Sequence, residues 1–218
     1  MSWVDHLNKN LRKAVNRGNP AVLESRSGIK ADENLEHLAD LAENILQGKL
    51  EKVVRLYTKK IFYFRKTEAL QMIHLTYHLE NRLLSKTYDL QIEGQAEGFL
   101  EKGMEHTEII FQQRSLKNKK PCFTGGAKDA VLEGKIQKLN DPLITGRIEK
   151  LDLSELYITY SESKNCWKIS SRSIIGSSVS LMFPPLTRGI AMQPQEIVLL
   201  YELYSMIAAA LKNGQSQL

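Results

Sequence analysis

The stretch TEALQMIHLTYHLENRLLSK, residues 67–86, carries most of the weight in reading this fold. At 100° per residue it presents Leu70, Ile73, Tyr77 and Leu84 on one side and Met72, Leu75, Leu79 and Leu83 on the other. Thr67 stands where a helix cap would. A helix apolar on two sides is sandwiched between layers, so the spacing predicts a helix at the centre of a bundle.

Upstream, the pattern reads as helical from Asp32 onward, with Leu35, Leu38, Leu41, Ala42 and Ile45 before a break at Gly48. A second predicted helix takes in Leu50, Val53, Val54, Tyr57, Ile61 and Phe62. At the start of the chain, Trp3, Val4, Leu7, Leu11, Ala14 and Val15 fall within an arc of about 120°. His6, Lys9, Arg12, Lys13 and Arg17 occupy the opposite arc, and Gly18, Asn19 and Pro20 end the segment.

Downstream, Tyr88, Leu90 and Ile92 alternate as in a short strand, and 107–113 reads as strand or helix. A basic loop with Arg114, Lys117, Lys119 and Lys120 precedes Gly125-Gly126, and the change in composition puts a boundary at 114–127. Short β-favourable runs follow at 143–149, 155–161, 166–171 and 173–183, ended by Pro184-Pro185, as in an antiparallel meander. Pro194 and Glu196 open a terminal helix, apolar all round, that Asn213-Gly214 closes.

The expected class is therefore α+β, an N-terminal helical bundle followed by a small antiparallel sheet covered by a C-terminal helix. Its parts are a basic amphipathic helix and connector (1–31), a helical region (32–113), a basic glycine-containing connector (114–141) and the sheet with its terminal helix (142–218).

With 218 residues, 42% hydrophobic and 25% charged, the chain has the composition of a globular protein rather than a disordered or collagen-like one. Cys122 and Cys166 stand far apart without CxxC spacing, which excludes a disulfide framework and points to reduced thiols. The first twenty residues lack a continuous apolar run, so a cytoplasmic protein is expected. The net charge of +5 is uneven: residues 1–30 carry six basic and two acidic groups, 114–150 nine and four, and 31–113 ten and fourteen. Such segregation bears on partners rather than on fold.

Nucleotide-binding glycine motifs are absent, Gly176-Ser177-Ser178 lacks the second glycine of a nucleophile elbow, and the SxxK at Ser161 falls in a predicted turn. No catalytic residue, metal ligand or cofactor is assigned. His74 and His78, four apart on the predicted helix, would share one side of it, with Glu43, His37 or His106 as third-ligand candidates. A hydrogen-bonded histidine at a layer edge is the plainer reading.

The run Lys59-Lys60-Ile61-Phe62-Tyr63-Phe64-Arg65-Lys66 interleaves cations and rings as nucleic-acid surfaces do. Lys59, Lys60, Arg65 and Lys66, joined by Lys117, Lys119 and Lys120, would form one such surface; core packing with a basic rim explains the run equally well. In residues 1–17, Trp3, Leu7 and Leu11 beside Lys9, Arg12 and Lys13 suit a peripheral membrane contact or docking on the chain's own core. The function expected is that of a non-enzymatic interaction or scaffolding protein whose cationic surfaces meet an acidic protein, nucleic acid or membrane. The alternative is an enzyme or metal-binding protein using His74 and His78 in a pocket between helices and sheet.

Overall fold

A computed structural model describes residues 26–98, 107–112, 121–126, 130–181, 183–184 and 186–212. In it, residues 67–86 are not a helix. Leu70–Arg82 is a strand that turns at Leu83-Leu84 into the strand Ser85–Glu97. The same residues obey a second period: Ile73, Leu75, Tyr77 and Leu79 alternate with His74, Thr76, His78 and Glu80, the pattern of a half-buried strand. Residues 50–64, also expected to be helical, form a hairpin. The N-terminal bundle is thereby replaced by sheet, and the sheet is large rather than small.

Chain order is α1 (Arg26–Leu46), β1 (Leu50–Leu56), β2 (Lys59–Phe64), β3 (Leu70–Arg82), β4 (Ser85–Glu97), β5 (Glu108–Gln112) and β6 (Cys122–Gly125). Then come α2 (Ala130–Leu139), α3 (Pro142–Lys150), β7 (Leu153–Ser161), β8 (Cys166–Leu181), β9 (Leu186–Gly189) and α4 (Pro194–Leu211). Residues 143–149, expected as strand, belong to α3 instead, where Asp141 caps the helix through Leu143 N and Pro142 occupies the first turn. Expected strands 166–171 and 173–183 are one strand, β8. The terminal helix α4 starts at Pro194, closed by a reciprocal Gln193–Glu196 capping box.

Nine described strands make one antiparallel sheet in the order β1-β2-β3-β4-β8-β7-β5-β6, with β9 pairing on β8. Within 114–127, where the composition changes, Cys122–Gly125 forms β6 and pairs with β5. One row of partners crosses eight strands: Val53, Phe62, Ile73, Gly94, Ile169, Ile158, Ile109 and Gly125. All but two are aliphatic or aromatic, and the helices pack on this face. Leu38, Ala42 and Leu46 of α1 meet Phe62, Phe64, Ile73 and Leu75, together with Ile197, Leu200 and Tyr201 of α4.

The two glycines sit where a helix presses hardest. A Cβ on Gly94 would stand 2.6 Å from the Tyr204 ring, and one on Gly125 would stand 2.8 Å from Ile136 of α2. Tyr204 is fully buried, its hydroxyl 2.8 Å from Ser171 Oγ and donating to Ile92 O at 3.1 Å, so the ring cannot retreat without breaking both bonds.

One residue along each strand, the partner row on the other face reads Val54, Ile61, His74, Glu93, Ser170, Tyr157, Ile110 and Thr124. This row is polar at its centre, as expected of the face turned away from the helices. At the two lateral edges, β1 carries a register shift at Leu50/Lys52, with Glu51 and Lys52 exposed, and β6 is four residues long.

Along its length α1 is tied to the β1–β2 hairpin by charge. Arg55 reaches Glu36, Asp40 at 2.7 Å and Glu43 at 2.5 Å, while buried Lys60 lies 2.5 Å from Glu36 and 3.6 Å from Asp32. Asp32 also accepts the Thr58 N–H at 2.9 Å in the hairpin turn, where Thr58 has φ 61°. Burial acts to raise the Glu36 pKa, but the hydrogen bonds from Lys60 and Arg55 outweigh it and hold the carboxyl below its ordinary value.

The close Gly94–Tyr204 approach predicts that Gly94→Ala destabilises the protein by about 1–3 kcal/mol through overpacking. Chemical denaturation should show a lowered midpoint with an unchanged slope, and a midpoint equal to wild type would refute the close-packing account.

Candidate functional site

Strand lengths are unequal, and the inequality shapes one end of the molecule. The last row that β1 and β2 reach is Leu56, Lys59, Thr76, Gln91 and Arg172. Beyond it, β3, β4, β8 and β9 continue alone for four full rows: Leu79-Tyr88-Ser178-Gly189, Glu80-Thr87-Val179-Arg188, Asn81-Lys86-Ser180-Thr187 and Arg82-Ser85-Leu181-Leu186. Six residues of rise carry this four-stranded extension about 20 Å past the β1–β2 turn.

Its base is built by an irregularity in β8. Between Ser173 and Ser178 the strand takes five steps where β4 takes two, Leu90 to Tyr88, leaving three extra residues. Gly176 adopts φ +87° there, and Tyr77 donates its hydroxyl to Gly176 O at 2.7 Å. Ser177 Oγ accepts Leu90 N at 2.8 Å and donates to Ser173 O at 2.6 Å, satisfying ladder groups that the bulge displaces.

The extension ends in two turns side by side, because Ser85 of β4 pairs with Leu181 of β8. Leu83 and Leu84 form the first, 93% and 65% exposed; Phe183 stands on the second, 87% exposed, between half-exposed Leu181 and Leu186. Two-residue hairpin turns favour Asn-Gly, Asp-Gly or Gly-X, and a Leu-Leu pair contradicts that chemistry. Such a break of a local rule, with large apolar side chains standing in water, singles these turns out as the candidate site.

Within four residues of Leu83-Leu84 and of Phe183-Pro184 the sequence places Arg82, Lys86 and Arg188 against one acid, Glu80. Alongside runs α1: Ser27 Oγ is 3.0 Å from Tyr88 Oη, three residues from Ser85, and the side chain of Asn34 fills the space over Gly189. Lys30, exposed, lies on the α1 turn between them. A groove of about 510 Å³ opens between α1 and the root of the extension, lined by Asn34, His37, Leu38, Leu41, Ile190 and Met192 among others.

The sequence candidates are scattered by the alternation of the strands. Lys60 faces the helices and is held by Glu36 and Asp32, whereas its neighbour Lys59 faces the other way, so the two do not share a surface. Arg65 and Lys66 are exposed in the turn that follows β2. Lys117, Lys119 and Lys120 lie outside the described residues, as do Trp3, Leu7, Lys9, Leu11, Arg12, Lys13 and His106.

His74 and His78 point from the sheet face opposite the helices, not into a pocket between layers. Four residues apart along a strand, they are separated by about 13 Å rather than one helical turn, too far to share an ion. No group of three or more His, Cys, Asp or Glu suited to a metal occurs among the described residues. His74 Nε2 instead meets Glu93 at 2.9 Å, and Lys168 Nζ meets the same carboxylate oxygen at 2.8 Å. The His74 hydrogen bond, helped by Lys168 against the opposing effect of burial, holds the Glu93 pKa down to about 2.

Leu83, Leu84, Leu181, Phe183 and Leu186 were not among the sequence candidates. The two turns are about a hundred residues apart in the chain, and register alone brings them together. A signal did exist, in the leucine pair at the end of a period-two run and in Pro184-Pro185 after a long strand.

Because Glu93 has a folded-state pKa below its unfolded value, its contribution to stability is complete above about pH 4.5 and disappears as pH falls toward 2. Glu93→Gln should remove on the order of 2 kcal/mol at neutral pH and flatten the loss of stability over that interval. Thermal unfolding across a pH series checks this, and parallel wild-type and variant curves would contradict it.

The family model described as Protein of unknown function (DUF3156) matches residues 57–211, from the β1–β2 turn to the end of α4. No curated protein and no solved structure matches the chain.

Proposed function

The chain belongs to the family described as Protein of unknown function (DUF3156), and we propose that it is a non-enzymatic interaction protein that docks end-on through its four-stranded extension. The observation carrying this reading is the pair of adjacent turns that hold Leu83, Leu84 and Phe183 in solvent. Burying a Leu or Phe side chain contributes about 1.5–3 kcal/mol, so three of them supply a binding contribution of several kcal/mol before the cost of association is subtracted. The cations of the extension, Lys86 on one sheet face and Arg188 on the other, with Lys30 of α1 near its root, favour a partner of acidic character that meets both faces of the tip.

A long, stiff mounting suits this role. Four hydrogen-bonded rows support the turns, and the Tyr77–Gly176 and Ser27–Tyr88 bonds brace the root against β3 and α1. Little conformational freedom in the supporting strands is then lost on docking, which conserves affinity.

The test is the triple variant L83S/L84S/F183S. These side chains touch little of the core, so its thermal midpoint should match wild type. In whole cell extract with its membranes retained and resolved by size, wild type should run in assemblies larger than the monomer, membrane-bound or soluble, and the variant as a monomer. Wild type eluting as a monomer, or the variant retained in the same assemblies, would overturn the docking reading.

A further inference from the structure

We infer that the surface engaged by the extension is an anionic lipid bilayer, entered by the Leu83-Leu84 and Phe183 turns while Lys86, Arg188 and Lys30 meet headgroups. This rests on the docking reading above and names its partner. Shape supports it first. Leu83 at 93% and Phe183 at 87% exposure stand clear on two separate turns instead of forming a flat patch. A protein of fixed shape would need a pocket for each, whereas hydrocarbon accepts any convex apolar tip to a depth of about 5–10 Å.

Charge supports it next. Three cations to one acid within four residues of the turns complement an anionic leaflet, whose surface potential attracts nearby Lys and Arg. Position supports it third. α1 begins at Arg26, and Ser27 Oγ meets Tyr88 Oη at the root of the extension, so exposed Lys30 on the first turns of α1 lies on the extension's side of the molecule. A single shallow apolar contact binds reversibly, and nearby cations are how peripheral proteins strengthen it. No helix among the described residues is long and apolar enough to cross a membrane, and insertion of two turns requires none.

The experiment uses the purified full chain with vesicles of phosphatidylcholine alone or with phosphatidylglycerol at about one lipid in three. The expected result is co-sedimentation with the anionic vesicles, weakened by added salt as screening demands. L83S/L84S/F183S should lose at least about tenfold in partitioning through lost apolar burial. K86E/R188E should lose about as much on anionic vesicles through charge reversal. A gain-of-signal arm avoids relying on loss alone: with Trp3 replaced, W3F/F183W should show a blue-shifted emission on anionic vesicles relative to W3F, whose remaining Trp167 is already buried.

Persistent binding by the triple variant, an unshifted W3F/F183W emission, or equal binding to both vesicle types would overturn the inference. Absence of vesicle binding, with assemblies in extract still lost on L83S/L84S/F183S, would overturn the lipid assignment and leave the docking reading standing. Neither effect would remove both.

Discussion

Every other feature of this protein depends on the two-residue alternation that stays in register across eight strands at the level of Val53 to Gly125. At one level the row Val53 to Gly125 faces the helices, and one step along the strands the row Val54 to Thr124 faces away. A slip of one residue in any strand would exchange Ile73 for His74 or Ile92 for Glu93 in the core, at the cost of burying a charge. The helices could not then be seated, since Tyr204 reaches its two hydrogen-bond partners only where the glycine of β4 admits its ring.

On that frame α1 and α4 play different parts. Apolar contacts seat α4 almost entirely, with Ile197, Leu203, Tyr204, Ile207 and Leu211 buried. In α1, Leu35, Leu38, Ala39 and Ala42 are buried on one side, and Asp32, Glu36, Asp40 and Glu43 grip Arg55 and Lys60 on the other. Opposite charges on facing elements specify where the helix lies along the hairpin, a directional constraint that packing alone provides weakly. Lys60, one member of the basic and aromatic run, is thereby spent inside the fold.

How much of this could be read from the residues depends on whether one period fits a segment or two do. In α1, Leu35, Leu38, Leu41, Ala42 and Ile45 admit only a helix, and its course to Gly48 is legible. In β3, Leu70, Ile73 and Tyr77 satisfy a helical spacing, while Ile73, Leu75, Tyr77 and Leu79 satisfy a strand's; local pattern cannot choose, and pairing with β2 and β4 decides. Residues 143–149 failed for the converse reason, Ile144 and Ile148 being β-branched residues in a short helix that Asp141 and Pro142 start. The candidate site was less legible still. Each turn is visible as a turn, but its neighbour across the β4–β8 ladder is nearly a hundred positions away, and exposure of a leucine is a tertiary property.

The two lateral margins of the sheet carry a last consequence. A sheet of this width presents open ladders of N–H and C=O groups at its first and last strands, and such margins template further chains when they are long, regular and apolar. Here the shifted register at Leu50/Lys52 disturbs one ladder and puts Glu51 and Lys52 beside it, while the other stops after the four residues Cys122–Gly125. At these two margins pairing with a further copy of the chain is thereby disfavoured.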